Sequence, residues 1–193
     1  EMLLKKHSLE ILFSQKFSLR DSLRRLVQTL LSEQAEKTFQ VLLQQKKITL
    51  SKKDVWHVPS EMTLLHPQQE PFKKHLFDRC DDLNGEEMSL SKQIDNCDEV
   101  EWWLRNVVQD PDGFFIQGYR SSRFYPDFIV RTKKGAWWVL EYKGADRLGS
   151  IDTSYKEQIG QIWASICGKG HAFRLVTAEN MPNVIEDICS HLT

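Results

Sequence analysis

The sequence lacks several features that would assign it to a class directly. It contains no run of about eighteen apolar residues, so no membrane association is expected. The first residues do not follow the order of a secretory signal peptide, and Glu1 in place of a methionine suggests a fragment or a processed tag. No Gly-x-x-x-x-Gly-Lys-Ser/Thr loop is present, and the isolated Gly168-Lys169-Gly170 does not replace one. Any ATP dependence would therefore have to come from outside this sequence.

Cysteine is also scarce. Cys80, Cys97, Cys167 and Cys189 are far apart, and they form neither a Cys-x-x-Cys pair nor a Cys/His ligand spacing. Neither a zinc site nor a disulfide framework is indicated. We therefore expect reduced thiols and a cytoplasmic location.

The chain also has almost no net charge: the net charge is -1 and the pI is about 6.7. Whole-chain charge thus argues weakly against a nucleic-acid-binding protein, which usually carries a basic face. The distribution is more informative. Between Ile116 and Gly149 there are seven basic and three acidic residues, so positive charge is concentrated in one stretch.

That stretch contains a predicted β-hairpin. Two apolar segments, Phe124–Val130 and Ala136–Lys143, are joined by Thr-Lys-Lys-Gly. If Gly135 takes the left-handed position of a three-residue loop, the residues on either side of the loop pair with each other. The register then places Asp127 opposite Glu141.

Period-two alternation puts Glu141 and Lys143 on one face, and cross-strand neighbours share a face, so both should meet Asp127 there. Carboxylates at this density suit Mg²⁺ or Mn²⁺, which take further ligands from water and phosphate. A lysine beside them can orient an attacking water. The alternative is an ordinary ion pair between Asp127 and Lys143, with Glu141 at an exposed strand end.

The same residues carry a family resemblance. The Pro-Asp and Glu-x-Lys elements resemble the PD-(D/E)XK nuclease signature. The segments PFKKHLFDRCDDLN, VEWWLRN, FIQGYRSSRFYPDFIV, VLEYKG and DTSYK occur in an order that resembles the C-terminal nuclease domain of type III restriction enzymes and related restriction helicases. The resemblance covers roughly residues 70 to 178 and does not extend to the first sixty or so.

The resemblance implies an α/β fold of the restriction-endonuclease type, with a mixed sheet of four or five strands flanked by helices. It implies a Mg²⁺-dependent (or Mn²⁺-dependent) endonuclease that hydrolyses phosphodiester bonds in double-stranded DNA. Asp127, Glu141 and the main-chain carbonyl of Tyr142 would bind the metal, and Lys143 would serve the water. Partners would be a DEAD/DEAH-type helicase domain and a methylation or specificity subunit.

Further site residues come from other segments. Glu87 matches the family's acidic residue on the first helix, near the metal, but it also stands at N3 after Asn84, where a carboxylate caps its own helix. Arg105 could hold backbone or phosphate. Three more basic residues are candidates for DNA binding: Arg120 and Arg123 in the loop before Asp127, and Lys156 in the Tyr-Lys pair on a later helix.

We expect residues 1–70 to form a helical extension, with a hairpin of two helices before residue 48, and a connector. Residues 71–193 should form the nuclease domain, with its elements in the order helix, three strands, helix, strand. The segments FFIQGY and FYPDFIV are both predicted to be strands, and the last strand should pair in parallel through a crossover helix.

Two other functions remain open from the sequence. One is a non-catalytic DNA-binding or docking module that keeps the fold. The other is a repair or resolvase nuclease of the same superfamily. Intact Asp127, Glu141 and Lys143 favour an enzyme over the first of these.

Overall fold

A computed structural model of the chain describes residues 16–48, 56–58, 60–61, 63–64, 66–68, 71–107 and 113–190. The chain divides into two compact units, Glu1–Ile48 with Tyr119–Ser121, and Thr49–Gly118 with Ser122–Thr193. In the first unit, α1 (Lys16–Gln44) is one helix of 29 residues without a buried side chain. The expected hairpin has no turn within α1, and a partner helix before Lys16 would lie outside the described residues. No helix in the described ranges is long and apolar enough to cross a membrane.

The second unit is an α/β unit built on one mixed sheet. Its elements are α2 (Gly85–Asn96), β1 (Val100–Arg105), β2 (Phe128–Thr132), β3 (Trp137–Tyr142), α3 (Ile151–Cys167), β4 (His171–Val176) and α4 (Met181–Ser190). The strand order is β1-β2-β3-β4. The first two pairings are antiparallel, and β4 joins β3 in parallel. The predicted α/β class, the flanking helices and the parallel crossover are therefore confirmed.

The β2–β3 hairpin forms as its turn residues predict. Gly135 has a φ of 87°, a conformation that glycine adopts without a steric penalty. The Thr132 N–H donates to the Ala136 carbonyl over 2.9 Å. The ladder pairs Phe128 with Leu140, and continued by one residue it places Asp127 opposite Glu141.

The sheet buries both of its faces. Phe128, Val130, Trp138 and Leu140 pack with α2 and α4 in one apolar core, on what we call the α2/α4 face. The opposite α3 face carries Ile129, Val139 and Phe173, all of which are buried. A Cβ atom on Gly160 of α3 would lie 2.4 Å from the Phe173 ring, so helix and strand meet here at a distance that only glycine permits. This close approach fixes how α3 lies over the sheet.

Two predicted strand segments differ in the structure. The segment FFIQGY contributes only an isolated bridge, between Ile116 and Phe124. Strand β2 begins at Phe128 and not at Phe124. Pro126 accounts for the later start, because proline has no N–H to donate to a ladder.

The expectation that all cysteines are reduced is wrong for two of them. Cys97, at the C-terminus of α2, and Cys189, in α4, form a disulfide. Cys80 and Cys167 are free. A separation of 92 residues carries no sequence signal for pairing, and the two half-cystines meet only because both helices pack on the same face.

Candidate active site

Asp127 lies immediately before β2 and is bound from two sides. Its Oδ2 accepts the Tyr142 main-chain N–H over 2.8 Å. Its Oδ1 lies 2.9 Å from Nη1 of Arg105. The carboxylate thus takes a position that a ladder carbonyl would otherwise occupy, which fixes its orientation at the end of the hairpin.

Glu141 is the most buried acid of the site, with 2% of its side chain exposed. Its Oε1 lies 2.7 Å from Nζ of Lys143 and 2.9 Å from Nζ of Lys156. Its Oε2 is buried and has no hydrogen-bond partner among the described residues. Burial raises the pKa of Glu141, as does the nearby Asp127 carboxylate, and together they outweigh the opposing effect of the two lysines.

The two lysines reach Glu141 from different elements. Lys143 follows β3 by one residue and lies on the same face as Glu141, as the alternation predicts. Lys156 comes from α3, which packs on this face at Gly160. Nζ of Lys156 also lies 3.7 Å from the Asp152 carboxylate. Burial lowers the pKa of Lys156, but attraction by Glu141 and Asp152 more than offsets it, so the pKa is raised overall.

Arg105 joins two carboxylates and is the residue whose role the sequence least revealed. Its Nη1 binds both the carbonyl oxygen and Oδ1 of Asp127, and its Nη2 lies 3.0 Å from Oε1 of Glu87. Only 14% of the side chain is exposed. Burial opposes the charge, but Asp127 and Glu87 raise the pKa of Arg105 overall. These contacts support a positioning role for Arg105 and leave little of its guanidinium for DNA.

Glu87 caps its own helix. Asn84 accepts the N–H of Glu87, and Oε2 of Glu87 accepts the N–H of Asn84, which completes a capping box. The other carboxylate oxygen of Glu87 binds Arg105, so the Arg105 guanidinium bridges Glu87 and Asp127. The Glu86 carboxylate lies 3.5 Å from where a Cβ on Gly144 would stand.

The remaining predicted residues come from the loop that precedes Asp127 in the sequence and from the hairpin turn. Arg123 is exposed, with its guanidinium 4.1 Å from the Phe115 ring centroid. Arg120 belongs to the first unit. Lys133 and Lys134 occupy the hairpin turn, at the far end of a five-residue strand and roughly 20 Å from Asp127. The basic residues near Asp127 in sequence are therefore not all near it in space.

The oxygen ligands of the site suit only a divalent cation that needs few protein ligands. The described residues contain no group of three or more His, Cys, Asp or Glu side chains that could hold a metal ion. Two carboxylates and one main-chain carbonyl do suit Mg²⁺, which keeps several waters and uses one or two protein carboxylates. Oε2 of Glu141 has no hydrogen-bond partner among the described residues, and it is the oxygen that such an ion would bind.

Comparisons of this chain with protein-family models, with curated proteins and with solved structures found no match.

Proposed function

We propose that this chain is a Mg²⁺-dependent DNA endonuclease module. The observation that carries the proposal is the buried Glu141, whose Oε2 lacks a partner while Lys143 lies 2.7 Å from its other oxygen. A buried carboxylate oxygen without a donor is costly, and a bound cation would offset that cost. Asp127, opposite Glu141 in the register, supplies the second carboxylate.

Asp127, Glu141 and the carbonyl of Tyr142 would hold the metal. In a strand, the N–H and C=O of one residue serve the same neighbouring strand. Because the Tyr142 N–H binds Asp127, the Tyr142 carbonyl should face Asp127 as well. When bound, the ion would polarise the scissile phosphodiester and offset the negative charge that develops there.

The side chains around these ligands have separable tasks. Lys143, with 11% of its side chain exposed, can reach a water next to Glu141 and orient it toward phosphorus. Lys156 balances the charge of Glu141 from the helix side. Arg105 holds Asp127 in place, and Glu87 holds Arg105. DNA contacts in the second unit are assigned to Arg123 and to the exposed part of Lys156, and Arg120 stays a separate DNA-binding prediction for the first unit.

The proposed partners rest on the resemblance to type III restriction enzymes and related restriction helicases. Double-stranded DNA is the proposed substrate. A DEAD/DEAH-type helicase motor would supply ATP-dependent movement, and a methylation or specificity subunit would supply the target sequence. We propose the cytoplasm as its location. The Cys97–Cys189 disulfide is less usual in that compartment.

A non-catalytic module is the second candidate, and one observation favours it. The negative charges of the three carboxylates are offset by three cationic side chains, so the site is neutral without a metal. The carboxylates are those of Asp127, Glu141 and Glu87, and the cations are Arg105, Lys143 and Lys156. Such a network can stabilise a fold without catalysing a reaction.

The two candidates are separated by nicking of supercoiled plasmid and by Mn²⁺ binding, measured on the same preparations. The site variants are Asp127→Asn, Glu141→Gln and Lys143→Gln. Each has a matched control at an exposed position of the second unit: Asp98→Asn, Glu157→Gln and Lys92→Gln. Mn²⁺ binding is followed by the paramagnetic resonance signal of the free ion, which does not depend on activity.

An endonuclease requires that the wild-type chain and the three controls bind Mn²⁺ and nick the plasmid, while Asp127→Asn and Glu141→Gln lose both. Lys143→Gln should lose nicking and keep Mn²⁺ binding. Equal nicking by site and control variants would indicate a contaminating nuclease. A wild-type chain that binds no Mn²⁺ would favour the non-catalytic module.

A further inference from the structure

A row of ring and guanidinium side chains crosses the sheet at the end away from the carboxylates. Trp102, Arg131, Trp137 and His171 are register partners on the four successive strands. Cross-strand partners share a face, and Trp137 precedes Val139 by two residues, so the row lies on the α3 face. All four side chains are half-buried, whereas the next row along this face is fully buried.

The members of this aromatic row hold one another in place. The Trp102 and Trp137 rings are 5.4 Å apart between centroids and nearly perpendicular. The Arg131 guanidinium lies 4.7 Å from the Trp137 ring centroid, and its Nη1 also donates to the Gly135 carbonyl. His171 contacts the Trp163 ring of α3 at 5.9 Å. The rings are therefore ordered before any ligand arrives, which reduces the entropy lost on binding.

Positive charge surrounds the row. Lys133 and Lys134 are exposed in the hairpin turn, and Lys169 is exposed in the turn before β4. That second turn lies beside β3, because the Trp137 N–H donates to the Gly170 carbonyl over 2.7 Å. Two acids lie beside these groups: Glu101 is 4.0 Å from Arg131, and the Glu99 carbonyl accepts the Lys133 N–H. The four cations Arg131, Lys133, Lys134 and Lys169 outnumber these two acids, in a chain whose net charge is -1.

We propose that the aromatic row and its lysines form a binding site for single-stranded DNA. A nucleobase offers a flat π-face to an indole ring or a guanidinium, and the flanking lysines meet the phosphates. The tryptophan rings can stack on the base of a nucleotide, and the surrounding lysines can bind its phosphate. An apolar helix would not require the lysines, and an acidic peptide would not require the tryptophan rings. Trp137 and Glu141 are four residues apart on one strand, or roughly 14 Å, so this site is separate from the proposed cleavage site.

The test is fluorescence anisotropy of a labelled oligothymidylate of about fifteen nucleotides with the full chain, at low salt and in EDTA, where no metal-dependent cleavage can occur. Lys133→Glu combined with Lys134→Glu should weaken binding about tenfold and reduce the salt-dependence slope by about 1.4. Arg79→Glu combined with Lys92→Glu reverses two exposed charges elsewhere in the same unit and should change affinity less than about twofold.

The aromatic contribution is tested by Trp102→Leu, which should weaken binding about tenfold, while Trp102→Phe retains most of the affinity. A thermal melt of each variant shows whether it is folded, and the lysine pair tests the site without touching the core. The absence of binding at low salt, or an equal loss in the Arg79/Lys92 control, would overturn the proposal. Tighter binding of a duplex of the same length, unaffected by Trp102→Leu, would also overturn it.

Discussion

Nη1 of Arg105 lies 2.9 Å from Oδ1 of Asp127, while Nη2 of the same guanidinium lies 3.0 Å from Oε1 of Glu87. One arginine therefore joins the acid at the start of α2 to the acid at the start of β2. The planar fork of arginine can contact both acids at once, whereas the single ammonium of lysine cannot match that geometry. The site's geometry thus depends on a residue that need not touch DNA.

Arg105→Gln is predicted to destabilise the chain strongly. The substitution leaves two carboxylates, each less than one-fifth exposed, without their cation. Breaking such a pair from one side costs about 3 kcal/mol of unfolding free energy. Urea unfolding followed by tryptophan fluorescence measures the loss.

Arg174→Gln is the matched control for this change. Arg174 pairs with Asp187 over 3.7 Å, and both side chains are more than one-third exposed. Exposed pairs contribute about 0–1 kcal/mol. Equal effects of the two substitutions would mean that the Arg105 network is no more important than a surface ion pair.

The two lysines at Glu141 are predicted to differ in their effect on cleavage. If the chain is the proposed nuclease, Lys143→Gln should lower the single-turnover nicking rate about 100-fold at saturating Mn²⁺, because the group proposed to orient the water is lost. Lys156→Gln should lower it less than about tenfold, since Lys143 still pairs with Glu141. A larger loss from Lys156→Gln than from Lys143→Gln would reverse the two assigned roles.

His75 is predicted to make stability depend on pH. Burial lowers the pKa of His75 below its usual 6.5, against the opposing effects of the Phe77 carbonyl and Asp95. In the neutral ring, Nδ1 donates to the Phe77 carbonyl and Nε2 accepts the Arg105 N–H. The unfolded chain binds the proton more readily, so this stability is present above pH 6.5 and is lost as the pH falls through the lowered folded-state pKa.

Urea midpoints at several values of pH measure this effect. The contribution of one histidine cannot exceed about 1.4 kcal/mol per pH unit. The difference in stability between the wild-type chain and His75→Gln should shrink as the pH falls. His66→Gln, a substitution at an exposed histidine, is measured alongside as the control.

The disulfide predicts a thiol count. Cys80 and Cys167 should react with a thiol reagent under denaturing, non-reducing conditions, and all four cysteines should react after reduction. Reduction should lower the unfolding free energy by about 2–4 kcal/mol. Four reactive thiols before reduction would show that Cys97 and Cys189 are not joined in the protein.

The fold was predictable from the sequence where the determining contacts are local. Gly135 and the alternation after it were sufficient to predict the hairpin and its register. Asn84 and Glu87 are three residues apart, so their capping box could also be anticipated. In each case the physical cause lies within a few residues of its effect.

Contacts between distant segments could not be predicted in the same way. Arg105 binds residues 18 and 22 positions away, which no periodicity connects. The distance of Lys156 from Glu141 depends on where α3 packs, and that depends on Gly160 against Phe173. The basic residues looked clustered because they are close in sequence, but a strand then carries Lys133 and Lys134 to the opposite end of the sheet.

The three-residue turn after Thr132 has a consequence for how this chain can tolerate insertions. One added residue there would slide β3 by a single step against β2, which exchanges the two sides of the strand. Glu141 would then point into the apolar layer beneath α2, and Leu140 would take its place next to Lys156. Insertions in this loop should therefore be tolerated only in multiples that restore the pairing, however exposed the loop is.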